Sequence, residues 1–380
     1  MIDTSGFSED QVKAAEAIQS WVRGDLGKRD LTLGGYAGSG KTTILQRLWP
    51  LLKGNGAVAM APTGKAGQVL RSKGVDATTI HRLIYKFKGI REDFIGNETP
   101  VFRDEGGWQT ETGERPRLLV CDESSMVNTI QHKDVTERGV PCLWVGDHGQ
   151  LFPVGGDPGI MRNPEIRLEK IHRQAEGNTI IEMAHRVRKG HVPTKNDTSN
   201  NVYVKHCTNN EEIVCTAIEQ DVDQTLVPTN ALRHNINLLF RKCLKKTGVL
   251  DIGDRLICTF NDYRYMVFNG QAFRVEELGR SNGKVVYVKL AEETVDGWNI
   301  LDAWIPLQLS ALANPDYRSK DKIEGTVLFD YGYAITPHKA QGSEYGNILI
   351  IDQHIPLFAM ERWRYTAITR GKKYVTIMTR

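Results

Sequence analysis

"GGYAGSGKTT", Gly34 to Thr43, decides how this chain is read. Gly35 to Thr42 fits G-x-x-x-x-G-K-[ST], in which glycines let the backbone curl until successive N–H groups face bound phosphates. In that pattern Lys41 reaches the β- and γ-phosphates and Thr42 gives its hydroxyl to Mg2+. Gly35, Gly38, Ser39, Gly40 and Thr43 complete the expected cradle for ATP. The flanks agree with it. "LTLGG" reads as a short strand, and "TTILQRLWPLL" has apolar residues at helical spacing, so the phosphates meet a helix N-terminus.

A loop of this kind needs a carboxylate at the end of a neighbouring strand, and "RLLVCDESSMV" supplies two. Leu118 to Cys121 read as a buried strand from which Asp122 and Glu123 emerge. Asp122 is expected to hold Mg2+ through its water shell, and Glu123 to take a proton from an attacking water. Alone, such a pair is also what a solvated turn after a strand looks like. Beside the phosphate loop it favours a hydrolase over a simple kinase.

The bulk composition narrows the class further. The 380 residues allow two or three domains, and 40% hydrophobic with 25% charged residues is ordinary globular composition. No apolar run approaches the roughly 18 residues of a membrane span, and the polar start "MIDTSGFSEDQ" is not a secretory signal. The 6 cysteines form no C-x-x-C pair, which points to reduced thiols and a cytoplasmic setting. With 49 Lys+Arg against 46 Asp+Glu, the net charge of +3 does not announce nucleic-acid binding, so any such contact is confined to a local groove.

Further stretches follow in a set order: "APTGKAGQVL" (Ala61 to Leu70), "TTIHRLI" (Thr78 to Ile84), "LWVGDHGQLFPVGG" (Leu143 to Gly156), "LEKIHRQ" (Leu168 to Gln174), "YAITPHKAQGSEYGNILI" (Tyr333 to Ile350) and "RWRYTAITRGKKYVTIM" (Arg362 to Met378). As a series they resemble the motifs of superfamily 1 helicases, closest to the RecD/Dda-like branch, whose members move 5′ to 3′ along single-stranded DNA. The resemblance runs from Phe7 to the last residues, with gaps at two inserted stretches. It implies an α/β fold with two RecA-like P-loop motor domains, a β-hairpin insertion in the first and an SH3-like β-barrel insertion in the second. The expected bounds are 1–165 for the first motor domain, with 85–117 inserted. The second takes 166–252 and 326–380, around a barrel at 253–325.

The resemblance also assigns roles. Gln11 matches the family's adenine-reading glutamine, although Ser8 before it is equally a helix cap, and both can hold. Pro62, Thr63 and Lys65 match a segment that contacts the DNA backbone, with a helix cap at Thr63 as the plainer reading; Thr79 and His81 match a second such segment. Gln150 corresponds to the residue that senses the γ-phosphate. Around it the family usually reads Gly-Asp-Pro-x-Gln-Leu-Pro-Pro, and His148 and Phe152 replace two of those prolines. Phe152 stacks on a base or packs in the core, two readings the sequence leaves even.

Arg173 and Arg370 match arginines that reach the γ-phosphate from the second motor domain. Thr336, His338 and Lys339, with Gln341 and Glu344, fall where the family contacts DNA and links it to the nucleotide. In the first insertion Phe94, Phe102 and Trp108 are candidate wedge residues, because an aromatic ring can cap the last base pair. In the second, Asn269-Gly270 and Asn282-Gly283 read as hairpin turns.

The expectation is therefore an ATP- and Mg2+-dependent DNA helicase, monomeric and free of membranes. It would act on single-stranded DNA and single-strand/duplex junctions in replication, recombination or repair. A single-strand-binding protein or another replication factor is an expected partner, in a bacterial or phage-infected cell. The alternatives are a translocase that remodels without unwinding, or an ATP-gated DNA-binding subunit that needs a partner. Backbone contacts of these kinds discriminate poorly between DNA and RNA.

Overall fold

The computed structural model describes residues 4–92, 98–103, 108–110, 113–170, 178–262, 264–294, 297–312, 314, 321–356 and 358–380, with side chains left undescribed over 87–103. Phe94 and Arg173 lie outside the described residues, and Phe102 is described by its backbone alone.

The chain opens with helix α1 (Glu9–Arg23), entered at Ser8 as the sequence suggests. Strand β1 (Leu31–Gly35) follows, then the glycine loop and α2 (Lys41–Gly54). Next come β2 (Ala57–Ala61), α3 (Gly64–Ser72), β3 (Ala77–Thr79) and the short α4 (Ile80–Ile84). An antiparallel pair, β4 (Lys86–Glu92) and β5 (Glu98–Arg103), interrupts the alternation. It resumes with β6 (Leu118–Cys121), α5 (Thr129–Thr136), β7 (Cys142–Gly146) and β8 (Ile166–Leu168).

Six of these strands form a sheet in the order β3-β2-β6-β7-β1-β8, and every pairing in it is parallel. A parallel sheet needs cover on both faces, which is why β6 and β7 are buried at every position. Ile44, Leu45, Leu48 and Leu52 of α2 pack one face with Ala14, Ala15 and Ile18 of α1. On the other face Ile80, Leu83, Val135 and Trp144 form a separate core. Trp108 belongs to that second core. It is only 8% exposed, and the Arg138 guanidinium lies 5.2 Å from its ring centroid. This overturns the wedge reading for Trp108: the ring is an anchor where the insertion rejoins the sheet, with no free face to offer a base pair.

A second parallel sheet follows. α6 (Thr179–Arg188), β9 (Val202–His206), α7 (Asn210–Glu219), β10 (Gln224–Leu226) and α8 (Asn230–Cys243) precede an excursion of antiparallel strands. These are β11 (Arg255–Cys258), β12 (Ala272–Ser281), β13 (Val285–Thr294), β14 (Gly297–Ile300), β15 (Ile305–Gln308) and β16 (Phe329–Tyr331). The chain returns through β17 (Ala334–Ile335), α9 (Pro337–Ala340), β18 (Tyr345–Asp352), α10 (Met360–Ile368) and β19 (Gly371–Thr379). The sheet order is β17-β10-β18-β19-β9, again all parallel.

The antiparallel strands run β14-β13-β12-β11-β16, with β15 also paired to β13, so this sheet extends to Tyr331, past the expected bound at 325. Asn282-Gly283 is the turn between β12 and β13; the Asn282 side chain accepts from the Lys284 and Val285 N–H groups, and Gly283 has φ 81°. Asn269-Gly270 differs from expectation. It closes a longer excursion between β11 and β12 in which Asp262 bridges Val267, so it is not itself a hairpin tip. The inner face of the antiparallel sheet, with Phe273, Val288 and Phe329, shares one core with Ile236 and Phe240 of α8.

Candidate nucleotide site and nucleic-acid groove

The three loops that matter leave the same carboxyl edge of the first sheet, where β1, β6 and β7 are near neighbours. Open parallel sheets bind ligands at such edges. After β1, Gly38 and Gly40 take φ 78° and 82°, a left-handed backbone that L side chains avoid. A Cβ on Gly35 would lie 2.4 Å from Ser39 Oγ, so only glycine lets the loop close over itself. Ser39 Oγ is buried without a partner, and Lys41 Nζ donates to the carbonyls of Gly35 (2.7 Å) and Tyr36 (3.1 Å). An orphaned hydroxyl and a lysine folded back on its own loop fit a cradle for phosphate. Gln11 is 1% exposed; its Nε2 donates to Ser39 O at 3.1 Å and its Oε1 accepts from Ser8 N at 3.1 Å. It ties helix entry to phosphate loop.

Asp122 and Glu123 are half-buried at the end of β6, and Glu123 has a left-handed backbone (φ 54°). Burial pushes the Glu123 carboxyl up to about 7, and the Asp122 charge adds to this, while the charges of Arg370 and Lys41 pull it back. Burial raises Asp122 too, against the pull of Lys41. Lys41, Asp122, Glu123 and Arg370 therefore share one electrostatic neighbourhood. Arg370 is 5% exposed, its guanidinium donating to Thr366 O, Ser343 O and Thr369 Oγ1 at 3.1–3.2 Å. Among the described residues no cluster of three or more His, Cys, Asp or Glu could hold a metal ion. Mg2+ keeps waters and phosphate oxygens as ligands and takes few from protein; the oxygen donors this cleft presents to such an ion are the Thr42 hydroxyl and the Asp122 carboxylate.

The turn after β7 joins the two parallel sheets. Tyr365 of α10 donates its phenol to Asp147 Oδ2 (2.7 Å) and accepts from the Ala37 N–H of the phosphate loop (2.7 Å). Leu151 N donates to Thr366 Oγ1, and Arg362 donates to the carbonyls of His148 and Gln150. Gln150 is buried, and its Oε1 accepts from Gln341 Nε2 at 3.3 Å. Burial pushes the His148 ring down to about 4, which keeps it neutral at pH 7. Phe152 is 41% exposed between the guanidinium groups of Arg362 (4.3 Å) and Arg162 (5.6 Å), so it is not a core residue. Tyr365 and Arg362 had no assigned role in the sequence. Their place inside "RWRYTAITRGKK", beside Arg370, was the available signal.

A groove of about 600 Å³ lies between the first sheet and the antiparallel excursion. Pro62, Thr63, Thr79 and His81 line one wall, and Asn261, Met266, Phe268 and Asn269 the other. Thr63 and Thr79 cap α3 and α4, accepting from Ala66 N and Arg82 N at 3.2 Å. Each hydroxyl keeps its proton free to donate, so cap and phosphate contact are compatible. Burial lowers the His81 pKa. Lys65 does not line this groove: Nζ pairs with Glu293 of β13 at 3.0 Å, both side chains 18% exposed. Thr336, His338 and Lys339, at α9, also lie off it. Burial and the Arg233 charge hold the Lys339 ammonium below the ordinary lysine range.

The class follows from how the second parallel sheet closes on the first, bringing Arg370 to the carboxylates and Gln341 to the turn after β7. It is a P-loop α/β protein built on two parallel sheets. The chain belongs to the AAA domain family, which it matches over residues 7–209, and residues 331–378 match the UvrD-like helicase C-terminal domain. It is similar to the ATP-dependent RecD2 DNA helicase of Deinococcus radiodurans, 28% identical over 97% of this chain and 48% of that protein. The chain thus spans about half that relative's length. In fold it resembles Bacteroides Pif1 bound to ssDNA, at 20% identity and TM-score 0.55 over 97% of this chain and 91% of that one. It also resembles Pif1 helicase from Candida albicans, at 18% identity and TM-score 0.54 over 98% and 94%. Among the described residues no helix is long and apolar enough to cross a membrane.

Proposed function

We propose that this protein is an ATP-dependent DNA helicase that moves 5′ to 3′ on single-stranded DNA and unwinds duplex ahead of it. The observation that carries the reading is the shared neighbourhood of Lys41, Asp122, Glu123 and Arg370, which draws on both parallel sheets. In this reading the phosphate loop holds ATP and Gln11 stands at the adenine end. Mg2+ held by Thr42 and Asp122 would neutralise charge on the β- and γ-oxygens. Glu123 takes the proton of the attacking water on a carboxylate oxygen. Arg370 offsets charge on the transferred phosphoryl group, and Arg173 is assigned the same task from its motif.

Hydrolysis becomes movement through the Gln150–Gln341 contact and the bonds of Arg362, Tyr365 and Thr366 to the β7 turn. Single-stranded DNA takes the 600 Å³ groove, with Thr63, Thr79 and His81 on its backbone. Phe152, Thr336, His338 and Lys339 form a second contact zone. The finer architecture belongs to the same proposal: residues 1–165 as one RecA-like motor domain, 166–252 and 326–380 as the second, β4–β5 as a pin that splits the duplex, and 253–325, with its sheet running on to β16, as an SH3-like barrel.

The test is ATP hydrolysis with and without single-stranded DNA, followed by unwinding of a short duplex with a tail on the 5′ or the 3′ side. DNA-stimulated hydrolysis, abolished by Lys41→Ala, and opening of the 5′-tailed duplex alone are expected. Hydrolysis indifferent to DNA would overturn the motor reading. Opening from a 3′ tail would keep the motor and overturn the direction. Stimulated hydrolysis without opening would favour a translocase that works with a partner.

A further inference from the structure

Tyr36 places an aromatic ring inside the phosphate loop, directly after Gly35. The Arg188 guanidinium of α6 lies over this ring, 3.7 Å from its centroid. His148 packs against it at 4.0 Å between centroids, His185 meets it edge-on at 5.6 Å, and Tyr365 at 6.2 Å. Four elements therefore converge on one side chain: the phosphate loop, the turn after β7, α6 and α10. Arg188 Nε, both ring nitrogens of His148 and His185 Nε2 are buried there without hydrogen-bond partners. Buried polar atoms left unpaired are uncommon and call for a reason. Contacts held by ring faces rather than by directional hydrogen bonds can slide without a bond first breaking.

We propose that Arg188 is a positioning residue that couples the phosphate loop to the second motor unit through the face of Tyr36. The inference rests on the ATPase reading above and assigns that reaction a residue outside its motif series. The coupling starts at the Tyr36 carbonyl, which accepts from Lys41 Nζ at 3.1 Å while the Gly35 carbonyl accepts at 2.7 Å. A bound triphosphate competes for the same ammonium, and the backbone at Tyr36 then loses that anchor. The ring moves with its backbone, and the guanidinium stacked on it carries the movement into α6. That helix begins at Thr179, six positions after Arg173 in the sequence. Attraction of a cation to an aromatic face is the physical link, and the planar guanidinium adds stacking to it.

The experiment is steady-state ATPase on the full chain with saturating oligothymidylate, for wild type, Arg188→Ala, Tyr36→Leu, their double variant and Tyr36→Phe. Affinity for a fluorescent ADP is measured alongside. Each of Arg188→Ala and Tyr36→Leu is expected to lower kcat about tenfold, a desolvated cation–ring contact in rate terms. KM for ATP and ADP affinity should change by no more than about twofold, since the cradle itself is intact. The double variant should be no slower than either single, because both remove one interaction. Tyr36→Phe, which keeps a ring under the guanidinium, should lose clearly less kcat than Tyr36→Leu, and an equal loss in the two overturns the proposal. An unchanged kcat in Arg188→Ala overturns the proposal. So do single effects that multiply in the double, or a loss that falls on KM and ADP affinity. If Arg188→Ala does not fold, Arg188→Gln, which removes the charge and keeps a planar group, replaces it with the same expected kcat loss, and wild-type kcat there sinks the idea. A wild-type chain without DNA-stimulated ATPase fails the underlying reading instead.

Discussion

In the cleft around the phosphate loop, Glu123 lies in the field of Asp122, Arg370 and Lys41, and the buried Ser39 hydroxyl has no partner. In and beside the groove, several polar groups already have partners. Thr63 and Thr79 cap helices, Gln68 and Gln271 both donate to Glu292, and Lys65, beside the groove, is paired with Glu293. The cleft holds a buried hydroxyl that a ligand would complete. Beside the groove, Gln68, Gln271 and Lys65 must leave carboxylates before they can turn to a ligand. Substitutions in the cleft should therefore cost far more than substitutions in the groove.

The largest effect expected is from Arg370→Ala, which removes the charge facing Glu123 from across the domain boundary. kcat for DNA-stimulated ATPase should fall about 10³-fold or more, with DNA affinity held. A drop below tenfold would mean that the second unit does not complete the site. Glu123→Gln keeps the shape and removes the proton acceptor, so kcat should fall roughly 10²-fold while ATP still binds. If ATP binding were lost instead, Glu123 would belong to the cradle and not to the chemistry.

The same contrast explains how much was legible in the sequence. The cleft is written in contiguous stretches, because a strand fixes where the next few residues emerge; "GGYAGSGKTT" and "LLVCDE" predict β1, β6 and their loops directly. The bridge from Tyr365 to Ala37 spans 328 residues and leaves no local trace. The groove's second wall is equally silent. Met266 and Phe268 come from the excursion between β11 and β12, and only the tertiary packing of the antiparallel sheet brings them opposite Thr63. Trp108 departs from its expected exposure for the same reason. A turn-rich, polar segment around an aromatic suggests exposure, but the partner that buries it, the β6–β7 face with Arg138, lies further along the chain.

Phe268→Ala tests whether that second wall holds nucleic acid. An aromatic stacked on a base contributes about 1–3 kcal/mol, so single-stranded DNA should bind about tenfold more weakly, with kcat at saturating DNA unchanged. Binding within twofold of wild type would give the excursion a purely structural role and leave the groove with one working wall.

The smallest effect, and the one that most sharpens the contrast, is Glu293→Gln. In the free protein Glu293 holds both Lys65 (3.0 Å) and Arg255 (3.4 Å). If Lys65 contacts a phosphate when DNA binds, it must first leave Glu293, so wild-type binding exchanges one anionic partner for another. That exchange releases no counterion from DNA beyond what the freed glutamate takes back. With glutamine at 293 the lysine starts unpaired by charge, and its phosphate contact adds one full neutralisation. Affinity at low salt should rise a few-fold, and the slope of log K against log salt should steepen by about 0.7, the increment for one phosphate on a single strand. Tighter binding with an unchanged slope would place Lys65 off the DNA and make the pair a clamp between α3 and β13. Unchanged affinity and slope together would show that the groove's polar groups are not held back by their partners.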